Sequence, residues 1–338
     1  MTIRPAFKKS LKVLLPLFLG IFIFWLLYRD LEKQELLKTL REDIDYAVLA
    51  FSLLFGLAAN IFRGMRWNLL IRATNEAPRM AHSIFTTLGN YAVNMAFPRM
   101  GEVWRCGAMS QYSGIGFSKL LGTLLVDRVS DVVVVGLLVV LMLGYNLDFF
   151  SGFFSSSPSG SSGILALLSS VWLYVGLLAF ILLCGVLYYF TRESAFVKKI
   201  KEFALNVWKG ILSIKDLDKK WLFLLYTLLI WVGYFCFFYT TFYAFPFTRE
   251  LGPGIGLLTF TMSSIAVAAP VQAGIGAWHF MVIVTLTSFA VARESAEQFA
   301  LIVHTIQTLW ITICGLVAIF LLPLYSANKS RKMREKEI

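Results

Sequence analysis

Apolar runs separated by short polar connectors set the plan of this chain. Val13–Tyr28, Tyr46–Phe62, Leu120–Leu143, Ile164–Phe190, Trp221–Phe245 and Glu297–Leu324 read as spanning helices, since about 20 apolar residues cross a bilayer. Two further stretches are interrupted. Ala81–Phe97 and Met100–Phe117 are separated by Phe97-Pro98-Arg99-Met100, and the apolar run that follows Gly252, Gly254 and Gly256 breaks at APVQAGIGAWH before resuming to Ala292. Proline removes a backbone donor and stops a helix, while glycine lets the backbone turn. Each half is short of a clean span, so each pair reads as a re-entrant hairpin, with two full spans in its place as the alternative.

Charge then orients the runs. Arg4, Lys8, Lys9 and Lys12 precede the first helix, eight basic residues lie between Thr191 and Lys220, and Lys329, Arg331, Lys332, Arg334 and Lys336 close the tail. Basic connectors stay in the cytoplasm, so both termini are expected there, in the inner membrane of the cell. The Ser/Gly/Pro tract of loop 144–163 is expected outside. No small-residue cleavage site follows Tyr28, so the first run is read as a helix rather than a leader. The expected fold is an all-α polytopic membrane protein, one integral membrane domain over residues 1–338. It would have about six spanning helices plus two broken re-entrant helical hairpins arranged as an inverted repeat. The first repeat covers 46–143 with its hairpin at 81–117 and follows a first spanning helix at 13–28. A linking helix at 164–190 leads to the second repeat, 221–324, with its hairpin at 253–292. Transporters place their sites where such hairpins meet.

Composition agrees. The 338 residues are 58% hydrophobic and 15% charged, with mean hydropathy +0.72, whereas soluble domains carry about 25% charged residues. The net charge of +11 is explained by cytoplasmic connectors rather than by a nucleic-acid surface. Cys106, Cys184, Cys236 and Cys314 stand singly, without metal or disulfide spacing. No metal or nucleotide motif is present, so neither a cofactor nor an enzyme activity is expected.

Against this apolar background a few polar residues carry the chemistry. Charges at bilayer depth cost roughly 2.5–3.5 kcal/mol each on insertion scales and mark substrate or ion paths. Arg99, Glu102 and Arg105 border the first break, where guanidinium groups and free helix-end N–H groups would suit an anionic head group. The competing reading makes the arginines interfacial anchors paired with Glu102. Asp127, Arg128 and Asp131 lie about 12–18 Å beyond Lys119 along a helix. Asp127 and Asp131 share a face at i,i+4, and Arg128 reaches Asp131 at i,i+3. They either bind substrate or protons, or lock the helix to its neighbours. Asn94 on the first half-helix, and Gln272, Gly274 and His279 at the second break, complete the candidate binding set. His279 and His304 read as isolated, packed histidines, and Arg63, Arg66 and Trp67 as a lipid-anchoring cluster bordering the first hairpin.

The set NIFRGMRWNLL (60–70), NxxxPRMGEVWR (94–105), VDRVSD (126–131) and PVQAGIGAWH (270–279) resembles the membrane domain of lysylphosphatidylglycerol synthase/flippase proteins, the multiple-peptide-resistance factors, and their stand-alone relatives. That family repeats RxxRW, PxRxGE with a following Arg, [ED]RxxD and a Pro-then-Gly segment, and the likeness covers roughly residues 10–325. It implies a lipid flippase with two re-entrant helices. It carries over onto Arg99, Glu102 and Arg105, onto Asp127, Arg128 and Asp131, and onto Pro270, Gly274 and Gly276. Two departures stand out. The family's soluble aminoacyl-transferase domain has no counterpart here, so lysine transfer from tRNA is not expected. Asp127-Arg128 also stands where many relatives have Glu-Arg, and Gln-Ala-Gly where they have Pro-Gly-Gly.

The expected partner is a membrane lipid with an anionic, phosphate-bearing head group: a phospholipid, an aminoacyl-phospholipid or a polyprenyl-phosphate-linked lipid. A second copy of the chain or a lipid-synthesis enzyme are further partners this reading admits. An integral transferase acting through Asp127 and Asp131, and a non-transporting accessory subunit of an envelope or lipid-assembly complex, are the other two function classes.

Overall fold

The computed structural model describes residues 36, 38–97, 100–147, 149–151, 205, 217–267, 271 and 274–334. The expected helices at 13–28 and 164–190, the loop and connector around the latter, and Pro98, Arg99, Pro270 and Gln272 lie outside the described residues. Every regular element among the described residues is helical. After a short π-helical turn at Thr39–Asp43 come α1 (Tyr46–Arg72), α2 (Met80–Ala96), α3 (Gly101–Ser113), α4 (Phe117–Tyr145), α5 (Lys220–Tyr239, continued by a 3-10 turn Thr240–Ala244), α6 (Pro253–Ala266), α7 (Ala277–Ser288) and α8 (Arg293–Arg334).

Three described helices are long and apolar enough to cross a membrane: Tyr46–Arg72, Lys220–Ala244 and Arg293–Ser326. Helix α4 has 29 residues and carries Lys119, Asp127, Arg128 and Asp131 in its first half. The two interrupted stretches form short helices, of 17 and 13 residues at the first break and 14 and 12 at the second. At 1.5 Å per residue, α6 and α7 reach only about 18–21 Å.

Helix α1 extends well beyond its expected end. It runs ten residues past Phe62, because Trp67, Leu70 and Ile71 are fully buried and continue its apolar face. Asp45 starts it, its Oδ1 accepting from the N–H groups of Ala47 and Val48 at 3.0 and 3.1 Å. Helix α3 stops early, at Ser113, where Gly114 takes the left-handed conformation (φ 73°) that ends helices.

Helix α2 packs against α8 and α1, α5 lies along α1, α3 sits on α4, and α6 pairs with α7, which contacts α8. Two buried clusters mark the two ends of the bundle. One joins Trp67, Ile71, Met109, Leu120, Leu217 and Phe223, beside the Lys119–Glu76 ion pair of 2.6 Å. The other joins Leu49, Phe242, Phe245, Val291 and Phe299. Helices α2 and α3 have their open ends in the first region, while α6 and α7 have theirs in the second.

Candidate functional site

The α2–α3 break is built by a close approach. A Cβ at position 101 would overlap the carbonyl oxygen of Asn90 and come within 2.6 Å of its Oδ1, so only glycine fits there. Asn94 Oδ1 then accepts from the Gly101 N–H at 2.8 Å, satisfying a donor at the start of α3 that the helix itself leaves open. This fixes the first turn of α3, with Glu102 on it and Arg105 one turn on, against α4.

Four arginines and three carboxylates from three helices meet there. Arg66 of α1 donates from Nε to Asp127 Oδ1 at 2.9 Å, places Nη2 2.7 Å from Oδ1 of both Asp127 and Asp131, and reaches the Asp127 carbonyl at 3.2 Å. Its Nη1 donates to Thr227 of α5 at 3.3 Å. Arg66 and Asp127 are fully buried. Arg63, one turn earlier, pairs with Asp131 Oδ2 at 2.9 Å and lies over the Tyr234 ring at 5.4 Å. Tyr234 in turn donates to Asn60 Oδ1 at 2.8 Å and shares a hydrogen bond with Tyr91 at 3.2 Å. A polar line therefore runs from the cluster to the middle of α1 and α2.

Arg105 is the exception inside the cluster. Its side chain is fully buried, yet none of its three nitrogens makes a hydrogen bond to a described residue. It lies over the Trp67 ring at 4.0 Å and approaches Asp127 Oδ2 at 3.7 Å. That carboxylate oxygen likewise accepts no hydrogen bond from the described residues. The ring supplies a cation–π attraction, but a guanidinium carries five donors that this does not use.

The rim is accessible. Arg128 places Nε 2.7 Å from Glu102 Oε1 and Nη1 3.5 Å from Asp131 Oδ2. The Arg128 and Glu102 side chains are 33% and 41% exposed, against 13% for Asp131. Four guanidinium groups against three carboxylates leave the cluster one positive charge.

The structure thus joins Glu102, Arg105, Asp127, Arg128 and Asp131, and gives Asn94 the role of fixing the break. It corrects the reading of Arg63 and Arg66 as lipid anchors: both are withdrawn from the surface and hold the two aspartates, 61 to 68 positions away. Their i,i+3 spacing matches the shared face of Asp127 and Asp131, which was the available signal. Gly274 and His279 belong to the second hairpin. Gly274 and Gly276 take positive φ (74° and 84°) at the turn into α7. His279 is no isolated histidine: its ring centroid lies 4.4 Å from that of His304 on α8. Among the described residues no group of three or more His, Cys, Asp or Glu side chains could hold a metal ion.

The model of one protein family, described as the lysylphosphatidylglycerol synthase TM region, matches residues 13–315. No curated protein and no solved structure matches the chain. The family match takes in both hairpins and every residue of the arginine–carboxylate cluster, and it connects the chain with membrane lipid. The chain belongs to the lysylphosphatidylglycerol synthase TM region family.

Proposed function

We propose that this protein is a flippase: it carries a lipid with an anionic, phosphate-bearing head group across the cytoplasmic membrane and leaves the lipid's covalent structure unchanged. The observation that carries this reading is the excess positive charge of a cluster whose accessible rim is an arginine. Arg128 sits at the rim, half-committed to Glu102, and a phosphate offers it the bidentate geometry that guanidinium groups favour. Behind it, Arg105 has donors to spare. Arg99, next to the break in sequence, adds a third cation to the proposed set, and Asn94, Gln272 and Gly274 shape the two breaks.

The two hairpins give this site its route. Short helices α2–α3 and α6–α7, opening toward opposite ends of the bundle, fit an inverted repeat of two re-entrant hairpins. In that arrangement the head group would pass between the breaks while acyl or prenyl tails remain in lipid. Asp127 and Asp131 keep the inner arginines neutralised, so the added anion meets the rim rather than a bare charge. The basic connectors support a reading in which both termini face the cytoplasm.

Proteoliposome translocation of phosphatidylglycerol, aminoacyl-phosphatidylglycerol and polyprenyl phosphate, with wild type and Arg128→Ala, tests this. Selective movement by the wild type alone supports it. A folded wild type that moves none of them would make the cluster a structural lock in an accessory subunit.

A further inference from the structure

We infer that Arg63 and Trp231, placed around the ring of Tyr234, form a second station for the lipid head group, half-way across the membrane, which takes the oxygens of its phosphate. This rests on the flippase reading above and adds where the head group goes after Arg128.

The station lies at mid-helix in the described bundle. Trp231 is the twelfth of the 25 residues of the span Lys220–Ala244, and Asn60, which accepts from Tyr234, is the fifteenth of the 27 of Tyr46–Arg72. It also lies between the two hairpins. On one side Asp131 Oδ2 is shared by Arg63 at 2.9 Å and Arg128 at 3.5 Å, so Arg63 stands one carboxylate inward of the rim. On the other side the Trp231 ring meets Phe260 of α6 edge-on, with centroids 6.2 Å apart.

Two donors there are unspent. Arg63 is buried and commits Nη1 to Asp131, but its Nε–H meets no acceptor among the described residues. The buried indole Nε1–H of Trp231 meets none either. An indole nitrogen can only donate, and a buried one ordinarily finds an acceptor. Both side chains flank Tyr234: Arg63 Cζ lies 5.4 Å from its ring centroid, and the Trp231 ring stands edge-on at 6.3 Å. Tyr234 spends its proton on Asn60 Oδ1, so Tyr91 donates the 3.2 Å bond between the two hydroxyls. These bonds tie the central ring to α1 and α2 and hold the station's floor in place.

The unmet need is for acceptors. Hydrocarbon tails bring none, and water is scarce at this depth, where open polar groups are costly and mark the route of a polar cargo. A lipid phosphate brings several acceptor oxygens, and one of the waiting donors belongs to a guanidinium, which binds phosphate strongly. A head group leaving Arg128 therefore meets a second arginine and an indole N–H before it reaches the second hairpin.

The test uses the full wild-type chain in phosphatidylcholine vesicles containing phosphatidylglycerol with a diazirine on its head-group glycerol. A matched lipid carries the diazirine in its acyl chain. After illumination the labelled residues are mapped by peptide mass spectrometry. The head-group probe is expected to label Trp231 and Tyr234 as well as the rim, and the acyl probe to label exposed positions such as Val132 and Leu228. Excess inorganic phosphate should not displace the label at Trp231; displacement would make the ligand free phosphate and overturn the lipid station. Trp231→Phe keeps a ring against Phe260 but deletes the donor. It should lose the station label and slow translocation about tenfold, the effect of one hydrogen bond to a charged group. Head-group label confined to the rim while lipid is translocated, or translocation by Trp231→Phe at the wild-type rate, overturns the inference and leaves the flippase reading intact. Head-group label at Trp231 in a protein that exchanges no lipid leaves the station standing and overturns the flippase reading instead.

Discussion

Arg66 holds Asp127 through two nitrogens, at 2.9 and 2.7 Å, with both side chains fully withdrawn from solvent. The pair ties α1 to α4 at a depth where neither charge is tolerable alone. Removing one partner of a buried pair typically costs about 3–5 kcal/mol, because it strands the other. Arg66→Ala and Asp127→Ala should each lower the thermal unfolding midpoint of the detergent-solubilised protein markedly. The apolar double replacement Arg66→Met with Asp127→Leu should recover only part of the loss, because buried Arg105 then loses its nearest carboxylate and Asp131 retains only Arg63 and Arg128.

Arg128 should behave differently. Its side chain is one-third exposed and its ion pair with Glu102 sits at the rim. Pairs of this kind contribute about 0–1 kcal/mol. Arg128→Ala should therefore leave the unfolding midpoint close to that of the wild type while reducing lipid translocation tenfold or more. Arg128→Lys, which keeps the charge but not the fork geometry, should fall between them.

The first break depends on Gly101 and Asn94. Gly101→Ala forces a Cβ into the Asn90 carbonyl and should destabilise the hairpin more than Asn94→Ala. The latter removes one bond to a helix-start N–H, at a cost of about 1 kcal/mol. Limited proteolysis near residue 98 should rank the variants in that order.

Tyr234 links the cluster to the middle of the bundle. Tyr234→Phe keeps the ring under Arg63 but deletes the hydroxyl bonded to Asn60 and Tyr91. A loss of about 0.5–1.5 kcal/mol is expected for the first of these bonds, visible as a small downward shift in unfolding temperature. Tyr234→Ala, which also removes the ring, should cost clearly more.

What the sequence shows of this architecture follows from local periodicity. The i,i+4 spacing of Asp127 and Asp131 places both on one helix face, and in the fold both indeed meet Arg66. Proline and glycine mark both breaks to within a few residues of the observed helix ends. Partners that are distant in sequence leave no such trace. Arg63 and Arg66 end an apolar run, where arginines ordinarily snorkel to the interface, and only the packing of α1 on α4 turns them inward. His279 and His304 lie 25 positions apart on different helices, so neither one's spacing announces the other. The close contact of Gly101 with Asn90 is similarly invisible until the hairpin closes.

The most direct test of the central claim is the rate of leaflet exchange for a phosphate-bearing lipid in proteoliposomes, measured side by side for wild type and Arg128→Ala matched for folded protein. The account predicts selective movement of the anionic lipid by the wild type and its loss in the variant at unchanged stability. Equal movement by both, or movement by neither, would contradict it.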